Sequence, residues 1–273
     1  MKLIESKAEV LEQKYGLEGI YQMIELAGRT CYKSEDKITD SSSVDFVKRM
    51  ITSGHTAMLE HGTVYLMKSI YVWPRISFNK YDRNPYSKSI TKDGIIYVTT
   101  NLRVLQENNW LDDLQFLCEP TKFHEKRITL RFQANIHFYK DATRHRKHSF
   151  AIESTRWINY MREKFGMSIS FMMPSWIKNE DLDDFKEDCK TLENIYARWI
   201  DKGYKAECAA YFLCQGTAAT VVITAFTSDW KHFFDLRLFE KTGKVHPDML
   251  LLAEKAKEAL EEKDLWGLIY KPN

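Results

Sequence analysis

The chain has 273 residues, 44% of them hydrophobic and 13% aromatic, enough apolar side chain for a sizeable core in one large domain or two small ones. The 40 Lys and Arg residues against 38 Asp and Glu leave a net charge of +2, so charge gives no support to nucleic-acid or acidic-membrane binding, and any anion site has to be local. The opening MKLIESKAEVLEQ lacks the apolar core of a signal peptide and no run approaches the roughly 18 apolar residues of a membrane span, so a soluble, cytoplasmic protein is expected.

Five cysteines, Cys31, Cys118, Cys189, Cys208 and Cys214, are odd in number, scattered and without a CxxC pair. That argues against a disulfide framework and a zinc knuckle; reduced, mostly buried thiols are expected. Apolar residues at helical spacing predict helices over 17–30 and 43–54, the second ending on Gly54. Alternation of Val64, Leu66 and Ile70 predicts a strand over 63–72, and SKSITKDGIIYVT reads as a hairpin turning on Asp93-Gly94. RITLRFQANIHFY, 127–139, puts Ile128, Leu130, Phe132, Ala134, Ile136 and Phe138 on one face and predicts the clearest strand. MSISF is a short strand. DLDDFKEDCKTLENIYARWID is a long amphipathic helix with an acidic first turn, and a second helix is expected over about 204–214. TSDWKHFFDLRLF opens on Thr-Ser-Asp, as N-caps do, and offers Trp230, Phe233, Phe234 and Leu238 as an apolar face. HPDMLLLAEKAKEAL closes the chain with Pro247 at a first helical position. With no repeat, low-complexity tract or linker, the expectation is a single α+β domain, 1–273, of antiparallel or mixed sheet with long helices and a loop-and-hairpin insertion at about 75–125.

One stretch breaks the charge balance. RHRKHSFAIESTRW, 144–157, concentrates Arg144, His145, Arg146, Lys147, His148 and Arg156. A solvated helix end or exposed basic loop accounts for the charge alone. Nucleic-acid binding accounts for less, because Phe150 and Trp157 are too few for a stacking platform. His145 and His148 stand at i, i+3, but no carboxylate or thiol sits at a recognisable offset, so no metal site is read. An anion site that also tunes an electron-rich cofactor accounts for the most residues, since guanidinium groups bind phosphates bidentately and fixed positive charge favours a reduced, anionic ring.

Arg144-His145-Arg146, seven residues, then Ser154-Thr155-Arg156 resembles the signature of flavin-dependent thymidylate synthases. SGHTAMLEHG, 53–62, is similar to the family's Gly-His-x-x-x-x-Glu-His segment, DWKHFFDLR, 229–237, to its C-terminal helix, and AGRTCY, 27–32, to an early segment near the flavin. Taken alone, His55 and His61 read as structural histidines; their order and spacing within this segment favour the functional reading that the resemblance implies. The resemblance implies FAD as cofactor, methylenetetrahydrofolate as carbon donor and NADPH as reductant, for methylation of dUMP to dTMP without a cysteine nucleophile. It implies flavin contacts from His55, Glu60, Arg144, His145, Arg146 and His232. Arg237, Arg156 and Ser154 take the catalytic roles, and the pyrimidine nucleotide meets Ser154, Arg156, Arg237 and Glu153. A homotetramer with shared sites is implied too, with the apolar faces over 228–238 and 247–260 as candidate contacts.

The chain departs from the family pattern in three places. Where RHR-x-x-S-x-N-E-x-S-x-R has Asn-Glu, this chain has Ala151-Ile152, with Glu153 one place later. A glutamine three residues before RHR is here Asp141, whose charge would repel a nucleotide phosphate. An Ala-Arg-x-x-Leu-Pro segment aligns with Ala209–Cys214, replacing an arginine with Ala210. Three functions stay open on this basis: a thymidylate synthase, a flavin enzyme of the same fold acting on another pyrimidine nucleotide or one-carbon group, and a catalytically inactive flavin-binding homologue.

Overall fold

In the computed structural model, residues 1–70 and 80–270 are described. In chain order they form β1 (Lys2–Ile4), β2 (Lys7–Leu11), α1 (Gly16–Thr30), α2 (Ser42–Thr52), β3 (Thr63–Ser69), β4 (Lys88–Lys92), β5 (Ile95–Asn101), α3 (Leu102–Glu107) and β6 (Arg127–Asn135). There follow α4 (Ile136–Ala142), β7 (Ser149–Ile152), β8 (Ser170–Met172), α5 (Leu182–Asp201), α6 (Ala206–Ala209), β9 (Ala218–Phe226), α7 (Thr227–Arg237), α8 (Pro247–Glu261) and α9 (Trp266–Ile269). The protein is α+β, as expected.

A four-stranded antiparallel sheet in the order β2-β6-β9-β7 carries the main core. Because side chains alternate across a strand, β6 sends Ile128, Leu130 and Phe132 to one face, where they meet Val221 and Ile223 of β9, Trp230, Phe233 and Phe234 of α7, and Leu252 and Ala256 of α8. Each large side chain buried there contributes about 1.5–3 kcal/mol. The apolar faces of α7 and α8 are therefore spent on the protein's own core and are not available as subunit contacts. On the opposite face Ala151 and Val222 pack on Ala27 of α1, and the β6 residues pointing that way, Arg127 and Thr129, are polar. A three-stranded antiparallel sheet, β3-β5-β4, shares a second core with Ile20 and Ile24 of α1; β1 pairs with β8 in parallel.

The helices over α1, α2, α5 and α8 and the hairpin form where the sequence puts them, and Asp93 (φ 50°) and Gly94 (φ 76°) supply the left-handed turn between β4 and β5. The strand expected over 63–72 is seen over Thr63–Ser69, its last two residues lying outside the described residues. The strand expected over 127–139 stops at Asn135. The Asn135 side chain accepts from the Phe138 N–H at 2.8 Å and starts α4, so Ile136 and Phe138 are buried from a helix. The helix expected over 204–214 is only α6 plus a 3-10 turn, Ala210–Phe212, which brings Phe212 to stack on Trp199 at 5.3 Å. Nor does α7 use a Thr-Ser-Asp cap: Phe226 is its N-cap without a side-chain bond, and Glu125 accepts from the Ser228 N–H at 3.0 Å instead. All five cysteines are free thiols, but only Cys189 is buried; Cys208 is exposed and the other three are half-buried.

Candidate active site

Three segments distant in sequence meet where β9 ends and β7 begins. The first is the 3-10 turn Thr56–His61. His61 is buried, and its Nδ1 shares a hydrogen bond of 2.8 Å with Thr224 Oγ1, itself 2.8 Å from Thr129 Oγ1. Burial, reinforced by the nearby Arg127 charge, pushes the His61 pKa down to about 3. Glu60 takes Arg103 Nη1 at 2.5 Å and offers its carbonyl to Arg127 Nη1 at 2.9 Å. His55 is exposed.

The second segment leaves α4 through a tight turn. Arg144, Arg146 and Lys147 point to solvent while His145 and His148 turn inward, their rings stacked 5.3 Å apart. His148 packs on Trp230 at 4.9 Å, and its Nδ1 is buried without a partner. Among the described residues Arg146 has no acidic partner, and Arg144 has only Asp141, at 3.6 Å. This donor-rich, acceptor-poor surface suits a pyrophosphate-bearing ligand.

The third segment is α7. His232 meets His145 edge-on at 5.6 Å and Phe233 packs against the same ring at 5.1 Å. Arg237 Nε donates to His145 Nε2 at 3.3 Å. A guanidinium can only donate, so His145 is neutral with its proton on Nδ1. Burial, and then the charge of Arg237, agree by pushing the His145 pKa down to about 4. Arg237 also donates to the Asp141 carbonyl at 3.3 Å and stands 3.7 Å from its carboxylate. Asp141 thus grips Arg144 and Arg237 together.

Arg127 escaped the sequence reading. Its guanidinium bonds to the Glu60 carbonyl, to Thr63 Oγ1 at 3.3 Å and to Ser149 Oγ at 3.1 Å, tying the first two segments together. No carboxylate lies within ion-pair distance of it among the described residues, and burial lowers its pKa to about 10. The signal was present: an arginine opening the polar face of a strand whose other face is wholly apolar.

The rest of the motif lies elsewhere. From His148 to Ser154 the backbone runs through β7, and six extended residues span about 20 Å. Within the chain Ser154 and Arg156 therefore do not join the Arg144–Arg237 cluster. Glu153 is buried, with Oε1 on Lys33 Nζ at 2.9 Å and on the Tyr160 hydroxyl at 3.2 Å, and Oε2 accepting from the Thr220 N–H at 3.1 Å. The Ser154 N–H donates to the Cys31 carbonyl at 2.8 Å. Arg156 is exposed and 3.7 Å from Glu207 of α6.

The family model for thymidylate synthase complementing proteins (Thy1) matches residues 83–263. The chain belongs to this family. The matched residues run from β4 through α8 and leave AGRTCY and SGHTAMLEHG outside. Among solved structures, the UMP/dUMP methylase PolB from Streptomyces cacaoi bound with 5-Br dUMP is 15% identical over 96% of this chain and 93% of its own, with a TM-score of 0.46. The same methylase bound with 5-Br UMP gives 15%, 98%, 94% and 0.47. The flavin-dependent thymidylate synthase ThyX from Helicobacter pylori, complexed with FAD and dUMP, is 14% identical over 96% of this chain and 98% of its own, with a TM-score of 0.41. Comparison with curated protein sequences yields no match. Among the described residues no helix is long and apolar enough to cross a membrane.

Proposed function

We propose that the protein is a cytoplasmic, FAD-dependent methyltransferase that converts dUMP to dTMP, with methylenetetrahydrofolate as carbon donor and NADPH as reductant. The observation that carries this is the hydrogen bond from Arg237 to His145, which joins the basic motif to α7 across 92 residues of sequence and sets His232 beside them. Family membership supplies the reaction class. When bound, FAD supplies the hydride chemistry. Arg144 and Arg146 hold its phosphates through charge-assisted bonds. Neutral His145 accepts from Arg237 and so fixes the direction in which that guanidinium presents its other donors. Arg237 and Arg156 polarise the uracil carbonyls by stabilising the charge that develops there, with Ser154 at the nucleotide and His55, Glu60 and His232 as further flavin contacts. Since Ser154 and Arg156 stand about 20 Å along the chain from the Arg144 cluster, a complete site takes its two halves from different protomers of a homotetramer.

A second reading is favoured by one observation. The Asp141 carboxylate holds Arg144 and Arg237, two groups that the dUMP reading assigns to its ligands, so on this second reading the acceptor is another pyrimidine nucleotide, such as UMP. One assay tests both. Purified protein, reconstituted with FAD and desalted, is incubated with methylenetetrahydrofolate, NADPH and either dUMP or UMP, and the nucleotide is weighed by mass spectrometry. A C5-methylated product identifies the acceptor. A protein left colourless by FAD, or an unchanged nucleotide in both arms, refutes the function.

A further inference from the structure

Beside Arg127, the end of β2 and the starts of β3, β6 and α1 surround a cavity of about 550 Å³, a size that holds a small molecule. No residue given a role in methylation lines it. One wall is aliphatic: Val10 and Leu11 of β2, Ile20 of α1, Ile128 of β6, Leu265, and Leu117 from the loop-and-hairpin insertion. The rest is rich in donors. Arg127 commits both Nη atoms, yet its Nε is buried without a partner. The Tyr65 hydroxyl accepts from the Arg127 N–H at 3.3 Å, which leaves its own proton to give. Lys14 and Lys126 also line the cavity, and among the described residues neither has an ion-pair partner. α1 starts at the rim, on Tyr15 and Gly16, with no side-chain cap over its first N–H groups. The single lining carboxylate, Glu12, is taken by Lys263 at 3.2 Å.

A buried guanidinium N–H without an acceptor is costly and calls for one from outside the chain. A guanidinium N–H and a hydroxyl side by side match the two oxygens of a carboxylate, and the ammonium groups balance its charge. A phosphate dianion would turn its remaining oxygens toward the aliphatic wall, where nothing can bond them; an apolar chain gains by lying there. We propose that this cavity binds an aliphatic carboxylate, with its head group on Arg127 Nε, the Tyr65 hydroxyl and Lys126, and its chain against Leu11, Ile20 and Leu117. The assignment does not depend on the methylation proposed above, and it gives the insertion a part in a site separate from flavin and nucleotide.

Isothermal titration of the purified protein with octanoate, octanol and acetate separates head group from chain. Octanoate is expected to bind about tenfold more tightly than either of the others. Tyr65→Phe and Lys126→Ala should each weaken octanoate binding by on the order of tenfold and leave flavin content unchanged. Glu12→Gln, which removes the opposing carboxylate, should tighten octanoate severalfold, a gain that misfolding cannot imitate. Lys244→Ala, which removes an exposed lysine outside the cavity, should change nothing. Octanoate bound no more tightly than octanol, octanoate affinity indifferent to both Tyr65→Phe and Lys126→Ala, or octanoate displaced by FAD or dUMP overturns the proposal. Methylated product is measured on the same preparations. A protein that methylates its nucleotide but fails these titrations sinks the cavity alone. One that binds octanoate through Tyr65 and Lys126 yet makes no methylated product keeps the cavity and sinks the function.

Discussion

Acid should unfold this protein early, because three of its histidines are buried neutral. Burial pushes the pKa of His61 to about 3, of His145 to about 4 and of His148 to about 3, with Arg127, Arg237 and His145 respectively adding repulsion. His124 is shifted down by burial as well. In the unfolded chain each imidazole titrates near 6.5. A folded pKa depressed below the unfolded one means that stability is intact above about pH 6.5 and is lost as the pH falls from there through the folded values. At pH 5 the unfolded imidazole is almost fully protonated and the folded one is not, so each histidine costs about 2 kcal/mol relative to pH 8. That figure barely depends on whether the folded value is 3 or 4. Together the three cost about 6 kcal/mol, comparable with the 5–15 kcal/mol that stabilises a typical domain. Urea unfolding of the flavin-free protein, followed by tryptophan fluorescence at pH 8, 7, 6 and 5, reads this directly. In His148→Gln the loss between pH 8 and pH 5 should shrink by about 2 kcal/mol, whatever the substitution does to stability at pH 8. Equal unfolding midpoints at pH 8 and pH 5, or an undiminished loss in His148→Gln, would refute the assignment of these groups as neutral.

Four further outcomes are expected. Arg144→Ala should release flavin on desalting, seen as loss of visible absorbance, whereas Lys244→Ala should stay yellow. Asp141→Asn, which frees Arg144 and Arg237 from their shared carboxylate, should tighten dUMP binding severalfold by titration. Asn135→Ala removes both the cap of α4 and a 3.1 Å bond to buried Asp248, and should cost about 2 kcal/mol in urea unfolding. Light scattering of the flavin-loaded protein at micromolar concentration should give a tetramer, and a flavin-loaded monomer would contradict shared sites.

The amphipathic helices were legible because one face of each is buried and the other wet, which writes the 3.6-residue period into the sequence. β9 was not. AATVVITAF is buried on both faces, against α7 and α8 on one side and α1 on the other, so nothing alternates. β7 hid inside a motif read for its charge: Ser149–Ile152 pairs with Thr224–Val221, yet four residues between two basic clusters carry too little pattern to declare a strand. Asn135 defeated the longest alternation in the chain. Ile128 to Phe138 alternates without a break, but a side-chain cap outweighs a periodicity that both a strand and a helix end can satisfy.

The same hidden strand decides what the site can be. Read as text, Arg144 to Arg156 is one motif, and the natural inference is one binding surface. Folded, its two halves sit at opposite ends of β7, the first against α7 and the second against α6. The first half recruits Arg237 through His145 and is anchored from below by Arg127; the second recruits Glu207 and stands beside Arg162 and Lys205. A ligand that touches both halves must span about 20 Å or lie where the Arg144 end of one protomer faces the Arg156 end of another. A nucleotide is too short for the first arrangement. On the proposed function, with β7 extended, a neighbouring copy is what brings the two ends together over one substrate, so disrupting such an assembly is expected to abolish methylation while leaving each half folded and each cationic cluster intact.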